Sequence, residues 1–486
     1  MIIRLSEDTM NIILLMSDTL RYDFLGCNGN DWIDTRDLDA FAKKCVVFDN
    51  CYTGSFPTIP QRTDMATGRF IFPFDGWRPL RPDWKPIAEY LNEAGYVTQL
   101  ICDTPHLVGH GCNFFRGFNG YYWERGQEGD SPFTRMNTPL KPVMPHEKTR
   151  CDYKVARKPS HPMGIPREVT LADRHRWTNV HWRGEEDRFM MKTARTTVRW
   201  LEENHECKNF FLWVDMFDPH EPWDPPEYLV RRYDPDYTGT PMIHPNYGRA
   251  SAYTAAEIKN LRAHYAGEVH LVSKAVGMIL RKVEEVGLMD DTAIFFTADH
   301  GHSIGEHDMV GKSNIHPDDE RVWAFYREIT HTPLIVYVPG AKARRVSSMV
   351  QHVDMMPTML ELAKQKVPDG LDGRSLNGII AGRESSVRPC AITAAAGAGD
   401  WDITKTLETT IQDKRYSLVI SRTFGECEHV WERRPTGRVR FELYDTRQDP
   451  GQQRNIIRKN PREARRLLKY FTGLLEEKGK PVQVDL

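Results

Sequence analysis

Two short apolar runs, each followed by an acid, are the clearest indication of the fold. They are IILLM at residues 12–16, followed by Ser17 and Asp18, and the start of FFTADHG at residues 295–301. Both are rich in β-branched or aromatic residues and have the length of buried strands. Comparable runs occur at residues 96–102, 210–216, 292–298 and 334–338. Helical patterns at residues 86–94, 189–204 and 255–286 lie between them. This alternation predicts an α/β fold with a central, mostly parallel sheet flanked by helices.

The alternation of strands and helices fades after about residue 373. Two further strands are predicted at residues 414–420 and 438–444, and a basic amphipathic helix at residues 461–478. The sequence therefore predicts a catalytic domain at residues 1–372 and a smaller C-terminal α+β subdomain at residues 373–486.

The amino-acid composition limits the classes of protein to which this chain can belong. The 486 residues include 65 Lys and Arg against 67 Asp and Glu, a balance that does not favour binding to nucleic acid or to a membrane surface. No segment reaches 18 apolar residues, so no membrane span is predicted. The nine cysteines are odd in number and form no CxxC pair, which indicates neither a disulfide framework nor a zinc ribbon. We expect a cytoplasmic protein that acts on a small molecule.

The acids at the strand ends are the first candidates for chemistry, because functional groups gather at the carboxyl ends of parallel strands. Asp18 follows the first strand, and Asp299 with His300 follows a later one. Singly, each would be explained as a helix cap, a turn residue or a satisfied histidine. Together they favour a metal site, and a donor set that mixes carboxylate and imidazole suits Mn²⁺ or Zn²⁺.

A hydroxyl and an arginine form the second candidate group, in the segment Thr58-Ile-Pro-Gln-Arg62. If a helix begins at Thr58, the two side chains lie one turn apart, beside the free N–H groups and the positive end of the helix dipole. The arginine fork matches a tetrahedral oxyanion. An N-cap threonine with a surface arginine is the ordinary alternative. His220 and Lys312, in loops after other strands, are candidates for acid–base catalysis.

The order of these motifs resembles the sulfatase family of the alkaline phosphatase superfamily, and most closely its choline-sulfatase-like and phosphonate monoester hydrolase-like members. The similarity runs from about residue 11 to residue 456. Its motifs are Asp18, Thr58-x-Pro-x-Arg62, Thr67-Gly-Arg69, Asp218-Pro-His220, Asp299-His300-Gly301, Lys312, Val353-Asp-Met-Met-Pro-Thr358, Leu371-Asp-Gly-Arg-Ser-Leu376 and Glu442-Leu-Tyr-Asp445.

The resemblance implies a mixed central sheet and a C-terminal subdomain with a small antiparallel sheet. It also implies a divalent metal ion held by Asp18, Asp299 and His300, with the oxygen of Thr58 as a further ligand. Manganese or zinc fits best, and calcium or magnesium are the other options.

The resemblance also implies roles around the substrate. Arg62 would hold the nucleophile and the oxyanion of the substrate. His220 and Lys312 would contact the transferred group and the leaving oxygen.

Three positions depart from the family pattern. Thr58 stands where sulfatases carry a cysteine that is oxidised to formylglycine, whose hydrate releases sulfate by breaking its own C–O bond. Threonine has no such exit, so its ester must be attacked by water at sulfur or phosphorus, which favours phosphoryl chemistry. Thr19 replaces the usual second acid or amide. The family's Lys-x-His is Thr104-Pro-His106 here, which leaves Thr104 and His106 as the expected substrate contacts.

The sequence therefore predicts a metal-dependent hydrolase of phosphate or phosphonate esters, either mono- or diesters, with Thr58 as nucleophile. Sulfate ester hydrolysis is the first alternative, and an inactive binding protein is a remote one. Substrate choice is assigned to residues 123–128 and 141–176. A second metal ion would need His307, His316 or His352. The natural substrate stays open, and so does the oligomeric state, with a homo-oligomer possible.

Overall fold

The computed structural model describes residues 9–128, 130, 132, 171–312, 324–397, 402–422, 439–484 and 486. Most of the predicted insertion at residues 141–176, as well as His316, lies outside these ranges. The strands are β1 Asn11–Ser17, β2 Val46–Tyr52, β3 Ser55–Phe56, β4 Val97–Cys102, β5 Gly120–Trp123, β6 Phe210–Met216, β7 Gly248–Arg249, β8 Thr292–Ala298, β9 Ser303–Ile304, β10 Met309–Gly311, β11 His331–Tyr337, β12 Arg344–Gln351, β13 Ala391–Ala395, β14 Thr409–Gln412, β15 Tyr416–Ser421 and β16 Arg440–Asp445.

The helices cover both faces of the sheets. They are α1 Arg36–Ala42, α2 Thr58–Thr67, α3 Ile87–Glu93, α4 Pro105–Val108, α5 Leu171–Thr178, α6 Phe189–Asn204, α7 Glu227–Tyr233, α8 Ala255–Glu285, α9 Arg327–Thr330, α10 Met355–Leu362, α11 Asn377–Ile380, α12 Ile403–Thr406 and α13 Pro461–Glu477.

The central sheet has eight strands in the order β12-β2-β11-β8-β1-β6-β4-β5. Its middle, from β8 through β1 and β6 to β4, is wholly parallel, whereas β11 runs antiparallel to both β8 and β2. The predicted α/β fold with a mostly parallel mixed sheet is therefore confirmed.

Strand β1 shows how the two faces are built. All seven of its residues are buried, and successive side chains point to opposite faces. Ile13 and Leu15 pack in the core with α6 and α8, while Ile12 and Leu14 pack in the core with α2, α3 and α10. A strand covered on both sides needs an unbroken apolar sequence, and its polar groups can come only at its end.

The C-terminal region forms a separate core beside the main one. A five-stranded sheet in the order β16-β15-β14-β13-β3 packs against α13 through apolar residues of both elements, among them Ile411, Leu418, Leu467 and Phe471. The sheet takes β3 from the N-terminal part of the chain, where it pairs in parallel with β13. The boundary at residue 372 stays a prediction.

The predicted elements are present, with ends that differ by no more than three residues from those observed. In the central sheet, β2, β5 and β12 were not predicted, and neither were β3, β13 and β14 of the C-terminal sheet or the short strands β7, β9 and β10. In β2 the polar pair Asp49 and Asn50 interrupts the apolar pattern of a strand that is otherwise buried. Among the described residues no helix is long and apolar enough to cross a membrane, and the seven described cysteines form no disulfide.

Candidate metal site and nucleophile

Four neighbouring parallel strands bring the candidate residues to one edge of the sheet. Asp18 follows β1 and Asp299 follows β8, while Asp215 lies near the end of β6 and Thr104 comes two residues after β4. Helix α2 begins at Thr58 above this edge, and all ten of its residues are buried. The site thus lies where ligands bind in open α/β sheets.

Asp18, Asp299 and His300 form the only group of three or more metal-binding side chains that comes together in the described part of the chain. One ligand atom of each lies within 4.8 Å of the others, and all three residues are fully buried. The outer oxygen of Asp299 is held by the amides of Thr19 at 2.8 Å and His300 at 2.7 Å. Its Oδ2 atom therefore faces inward. Asp18 Oδ2 accepts no hydrogen bond from the described residues, and its near polar neighbour is Nη1 of Arg62, 3.1 Å away.

The imidazole of His300 is oriented as a metal ligand. Its Nδ1 lies 3.0 Å from the carbonyl oxygen of Gly301, so Nδ1 carries the proton and donates it. That tautomer leaves Nε2 with a free electron pair, 3.4 Å from Asp299 Oδ2. Burial lowers the pKa of His300 to about 3, which keeps the ring neutral. A second partner that fixes the tautomer is typical of metal-binding histidines.

Arg62 lies between three carboxylates and is itself fully buried. Its Nε and Nη2 donate to the two oxygens of Asp215 at 2.9 and 2.8 Å, and its Nη1 lies 2.8 Å from Asp299 and 3.1 Å from Asp18. Three carboxylates and one guanidinium give this buried site a net charge of −2. Burying that charge without a compensating cation would cost free energy of folding. A divalent cation would neutralise them, so the residues fit the predicted metal ion by charge as well as by donor type.

The contacts of Arg62 support one part of its predicted role and leave the other part open. The guanidinium also donates to the main-chain oxygen of Thr58 at 3.3 Å, which ties it to the first turn of α2. It therefore positions Thr58 relative to the candidate metal-binding acids. A direct contact between Arg62 and the oxyanion of the substrate stays a prediction.

The hydroxyl of Thr58 faces the metal-binding residues. Its Oγ1 lies 3.5 Å from Nε2 of His300. As the first residue of α2, Thr58 also lies beside the N–H groups that have no partner within a helix, and beside the positive end of its dipole. The predicted start of a helix at Thr58 is confirmed. An oxygen at this point can reach both a metal ion and a bound anion.

Thr19 connects the metal-binding acids to Lys312. Its hydroxyl donates to Asp18 at 2.6 Å and accepts from the ammonium of Lys312 at 3.0 Å. The backbone of Thr19 has a φ of 62°, which is unusual for a β-branched residue and costs about 1–3 kcal/mol. Tyr265 stabilises this conformation with a hydrogen bond to the Thr19 carbonyl at 2.7 Å. Thr19, which replaces the usual second acid or amide of the family, therefore links Asp18 to the ammonium of Lys312 through its hydroxyl.

His220 lies on the loop after β6 and is nearly buried. Its ring stacks on Phe217 with 4.0 Å between ring centroids, and its Nδ1 donates to the main-chain oxygen of Glu221 at 2.7 Å. Burial lowers the pKa of His220 to about 4, so its ring is neutral near pH 7 and its Nε2 is a proton acceptor. This geometry suits a general base better than a general acid.

Thr104 and His106, the predicted substrate contacts, have different surroundings. Thr104 is fully buried and its hydroxyl donates to Asp215 at 2.5 Å, so it supports the partner of Arg62. His106 is partly exposed, 3.1 Å from Glu128, and its ring meets those of Trp77 and Phe217 edge to face. Contact of either residue with a substrate stays a prediction, and His106 is the more accessible of the two.

Of the candidates for a second metal ion, the structure describes His307 and His352, and it brings neither into the site. His307 stacks on Tyr326 and lies 3.7 Å from Glu328, and His352 contacts Thr297. Neither joins the group formed by Asp18, Asp299 and His300. Within the described residues there is one candidate metal site.

Two carboxylates of the site were not identified from the sequence. Asp215 pairs with Arg62, and Glu221 lies beside Lys312 and His220. One signal was visible in each case: Asp215 is the only charged residue in an otherwise apolar strand, and Glu221 directly follows the Asp218-Pro-His220 motif.

Comparison with known proteins identifies the family. The sulfatase model matches residues 10–365, and a model described as N-sulphoglucosamine sulphohydrolase, C-terminal, matches residues 319–478. An arylsulfatase of Clostridium perfringens is 26% identical over 421 residues, which cover 78% of this chain and 80% of that protein. The multifunctional alkaline phosphatase superfamily protein PehA of Trinickia caryophylli is 23% identical over 421 residues, which cover 75% and 76%.

The fold is also seen in the crystal structure of another enzyme. The crystal structure of the phosphonate monoester hydrolase of Agrobacterium radiobacter aligns with a TM-score of 0.68 at 22% identity, over 97% of this chain and 95% of that one. The family predicted from the motifs is thereby confirmed. The chain belongs to the sulfatase family of the alkaline phosphatase superfamily and is a hydrolase of ester bonds.

Proposed function

We propose that this enzyme hydrolyses phosphate or phosphonate esters in two steps, with Thr58 as the nucleophile. The observation that supports this most strongly is the hydroxyl at the start of α2, 3.5 Å from the free nitrogen of His300 and beside two buried aspartates. A threonyl ester can be resolved only by attack of water on the central atom. Phosphorus accepts such attack in a two-step displacement, so the residue at position 58 favours phosphoryl over sulfuryl transfer.

A divalent ion at Asp18, Asp299 and His300 would supply positive charge that lowers the pKa of the Thr58 hydroxyl and offsets charge on a non-bridging oxygen. The Thr58 hydroxyl releases its proton to solvent, and its oxygen forms a bond to phosphorus while the bond from phosphorus to the leaving oxygen breaks. The N–H groups of Thr58 and Ile59 at the start of α2 stabilise the equatorial oxygens. Lys312 donates a proton to the leaving oxygen.

The second step releases the phosphorylated threonine. The neutral His220 accepts a proton from water through Nε2 as the water attacks phosphorus, and the bond from phosphorus to Thr58 breaks. The Thr58 oxygen takes up a proton, and exchange with solvent returns His220 to its neutral form and Lys312 to its ammonium form. Arg62 fixes the first turn of α2 through the carbonyl of Thr58 in both steps. The products are the alcohol and phosphate or phosphonate.

A panel of p-nitrophenyl esters tests the assignment. With Mn²⁺ or Zn²⁺ present, phosphate monoester, phosphate diester or phosphonate monoester should be hydrolysed faster than sulfate ester. Thr58→Ala should abolish turnover and retain bound metal, while Thr58→Ser, which keeps the hydroxyl, should retain activity. Full activity of Thr58→Ala would contradict the role of Thr58.

Sulfate ester hydrolysis is the second candidate, because both matched family models and the arylsulfatase relative carry sulfatase names. The same panel separates the two candidates. A clear preference for the sulfate ester over all three phosphorus esters would reverse their order.

A further inference from the structure

Glu221 lies at the centre of a buried group of side chains next to the site. Its side chain is fully buried, and it follows His220 in the loop after β6. One carboxylate oxygen accepts a hydrogen bond from the hydroxyl of Tyr247. The other lies 3.3 Å from the ammonium of Lys312, 3.4 Å from Nδ1 of His220 and 3.8 Å from Nε2 of His302.

We propose that Glu221 is a positioning residue that directs the ammonium of Lys312 toward the leaving oxygen and holds His220 with its Nε2 free. This inference rests on the proposed ester hydrolysis. It assigns a role to a residue that neither the motifs nor the proposed mechanism uses.

The hydrogen bonds around Lys312 support this role. An ammonium has three donors on a flexible stem, so its direction must be set by its neighbours. One donor is directed to Thr19 at 3.0 Å and one to Glu221 at 3.3 Å. Within the described part of the chain, the third N–H donor of Lys312 then remains for the leaving oxygen. Because Thr19 also donates to Asp18, the ammonium is held in a fixed relation to the metal-binding acids.

The charge of Glu221 is maintained by its surroundings. Burial alone would raise its pKa, but the groups that face it lower the pKa well below its usual value. Lys312 is the cation among those groups; His220, His302 and His244 also face the carboxylate, and the hydroxyl of Tyr247 donates to it. The carboxylate is therefore ionised throughout the working pH range, and a buried ammonium requires such a partner.

The main-chain oxygen and the carboxylate of Glu221 also orient His220. Its main-chain oxygen accepts the Nδ1 proton at 2.7 Å, and its carboxylate lies 3.4 Å from the same nitrogen. With Phe217 stacked on the ring, the imidazole can present only Nε2 to the substrate. A carboxylate that fixes the tautomer of a catalytic histidine is an established way to orient it.

Dependence on the leaving group distinguishes positioning of a proton donor from general support of the fold. An ester of p-nitrophenol releases a stable anion that needs little protonation, whereas an ester of phenol or of an alkyl alcohol depends on the donor. In Glu221→Gln we expect kcat/KM to fall about 10- to 100-fold for the phenyl ester. For the p-nitrophenyl ester with the same transferred group, we expect a fall of less than about 3-fold, because general acid catalysis contributes little there.

Two further variants define the connection to Lys312. Lys312→Ala should show the same selectivity for poor leaving groups, and the double variant Glu221→Gln/Lys312→Ala should be no slower than Lys312→Ala alone, since residues that act as a unit are not additive. If Glu221→Gln does not fold, Tyr247→Phe removes the donor to the other oxygen of Glu221 and should give the same selectivity with a smaller loss.

Glu408→Gln is the matched control. It makes the same change in a buried glutamate, at the residue before β14 in the C-terminal sheet, and should leave kcat/KM unchanged for both esters. An equal loss for the two leaving groups in Glu221→Gln, or additive effects in the double variant, would overturn the role of Glu221 and leave the proposed function intact. Absence of turnover by the wild type with every phosphorus and sulfur ester would overturn both.

Discussion

Replacing Asp215 with asparagine removes one of the three charges that surround Arg62. Four donors converge on the two oxygens of Asp215: Nε and Nη2 of Arg62, the hydroxyl of Thr104 and the indole N–H of Trp213, the last at 3.1 Å. Each oxygen receives two of them. The amide of an asparagine must therefore direct its NH₂ group at two donors, whichever way it is turned.

The expected loss of stability follows from this geometry. Two unit charges 2.8 Å apart attract each other by about 6 kcal/mol at an effective dielectric constant of about 20. Asp18 and Asp299 still neutralise Arg62 in the variant, so we expect a net loss of about 3 kcal/mol, the lower end for a broken buried pair. With an unfolding entropy of about 2 cal/mol/K for each of the 486 residues, this lowers the Tm by about 3 °C.

The loss should extend to metal binding. Asp215 supports the acids at the metal site through Arg62, and removal of such an outer partner costs about 10- to 100-fold in metal affinity. Calorimetry of the metal-free variant gives the Tm, and titration with Mn²⁺ or Zn²⁺ gives the affinity. Turnover should fall in parallel with metal occupancy.

Asp354→Asn is the matched control, because Asp354 is a buried aspartate paired with Arg388 and does not belong to the group formed by Asp18, Asp299 and His300. It should lower the Tm by a similar amount and leave the metal affinity unchanged. Unchanged metal affinity in Asp215→Asn, with a lowered Tm as in the control, would refute the coupling of Asp215 to the metal site through Arg62.

Two further changes test the metal site and the C-terminal subdomain. His300→Ala should weaken metal binding by more than about 100-fold, since it removes a ligand rather than an outer partner; wild-type affinity in a titration would contradict the assignment. Burial raises the pKa of Glu408 to about 8. The folded state therefore binds the extra proton, and the wild type loses stability as the pH rises from about 4.5 through about 8. Glu408→Gln should match the wild type near pH 4 and exceed its free energy of unfolding by about 3 to 5 kcal/mol at pH 8; parallel curves in denaturant titrations across this range would contradict the prediction.

The parts of the fold that follow from local pattern were predictable from the sequence. The strands that carry Asp18 and Asp299 are unbroken apolar runs, so both the strands and the acids at their ends were visible. Strand β3 was not, because its two residues gain their place by pairing with β13, more than 300 residues later in the chain. Such a pairing leaves no periodic signal.

The same distinction applies to the site. Asp299 and His300 each have a hydrogen bond to a backbone group next to them in the chain, and Asp18 has one to the hydroxyl of the adjacent Thr19; the turn sequence already encodes these contacts. Asp215 and Glu221 gain their roles from Arg62 and Lys312, which lie 153 and 91 residues away. Only the folded chain shows which charged group a buried carboxylate faces.

The proposed mechanism requires Thr58 to become covalently bound to phosphorus during turnover. Its most direct test is to quench the enzyme during hydrolysis of a phosphorus ester, digest the chain and map the modified peptide by mass spectrometry. We predict one added phosphoryl or phosphonyl group on Thr58, absent in Thr58→Ala and lost on longer incubation. A rapidly turning-over enzyme with no adduct at Thr58, or with an adduct at another residue, would contradict the account.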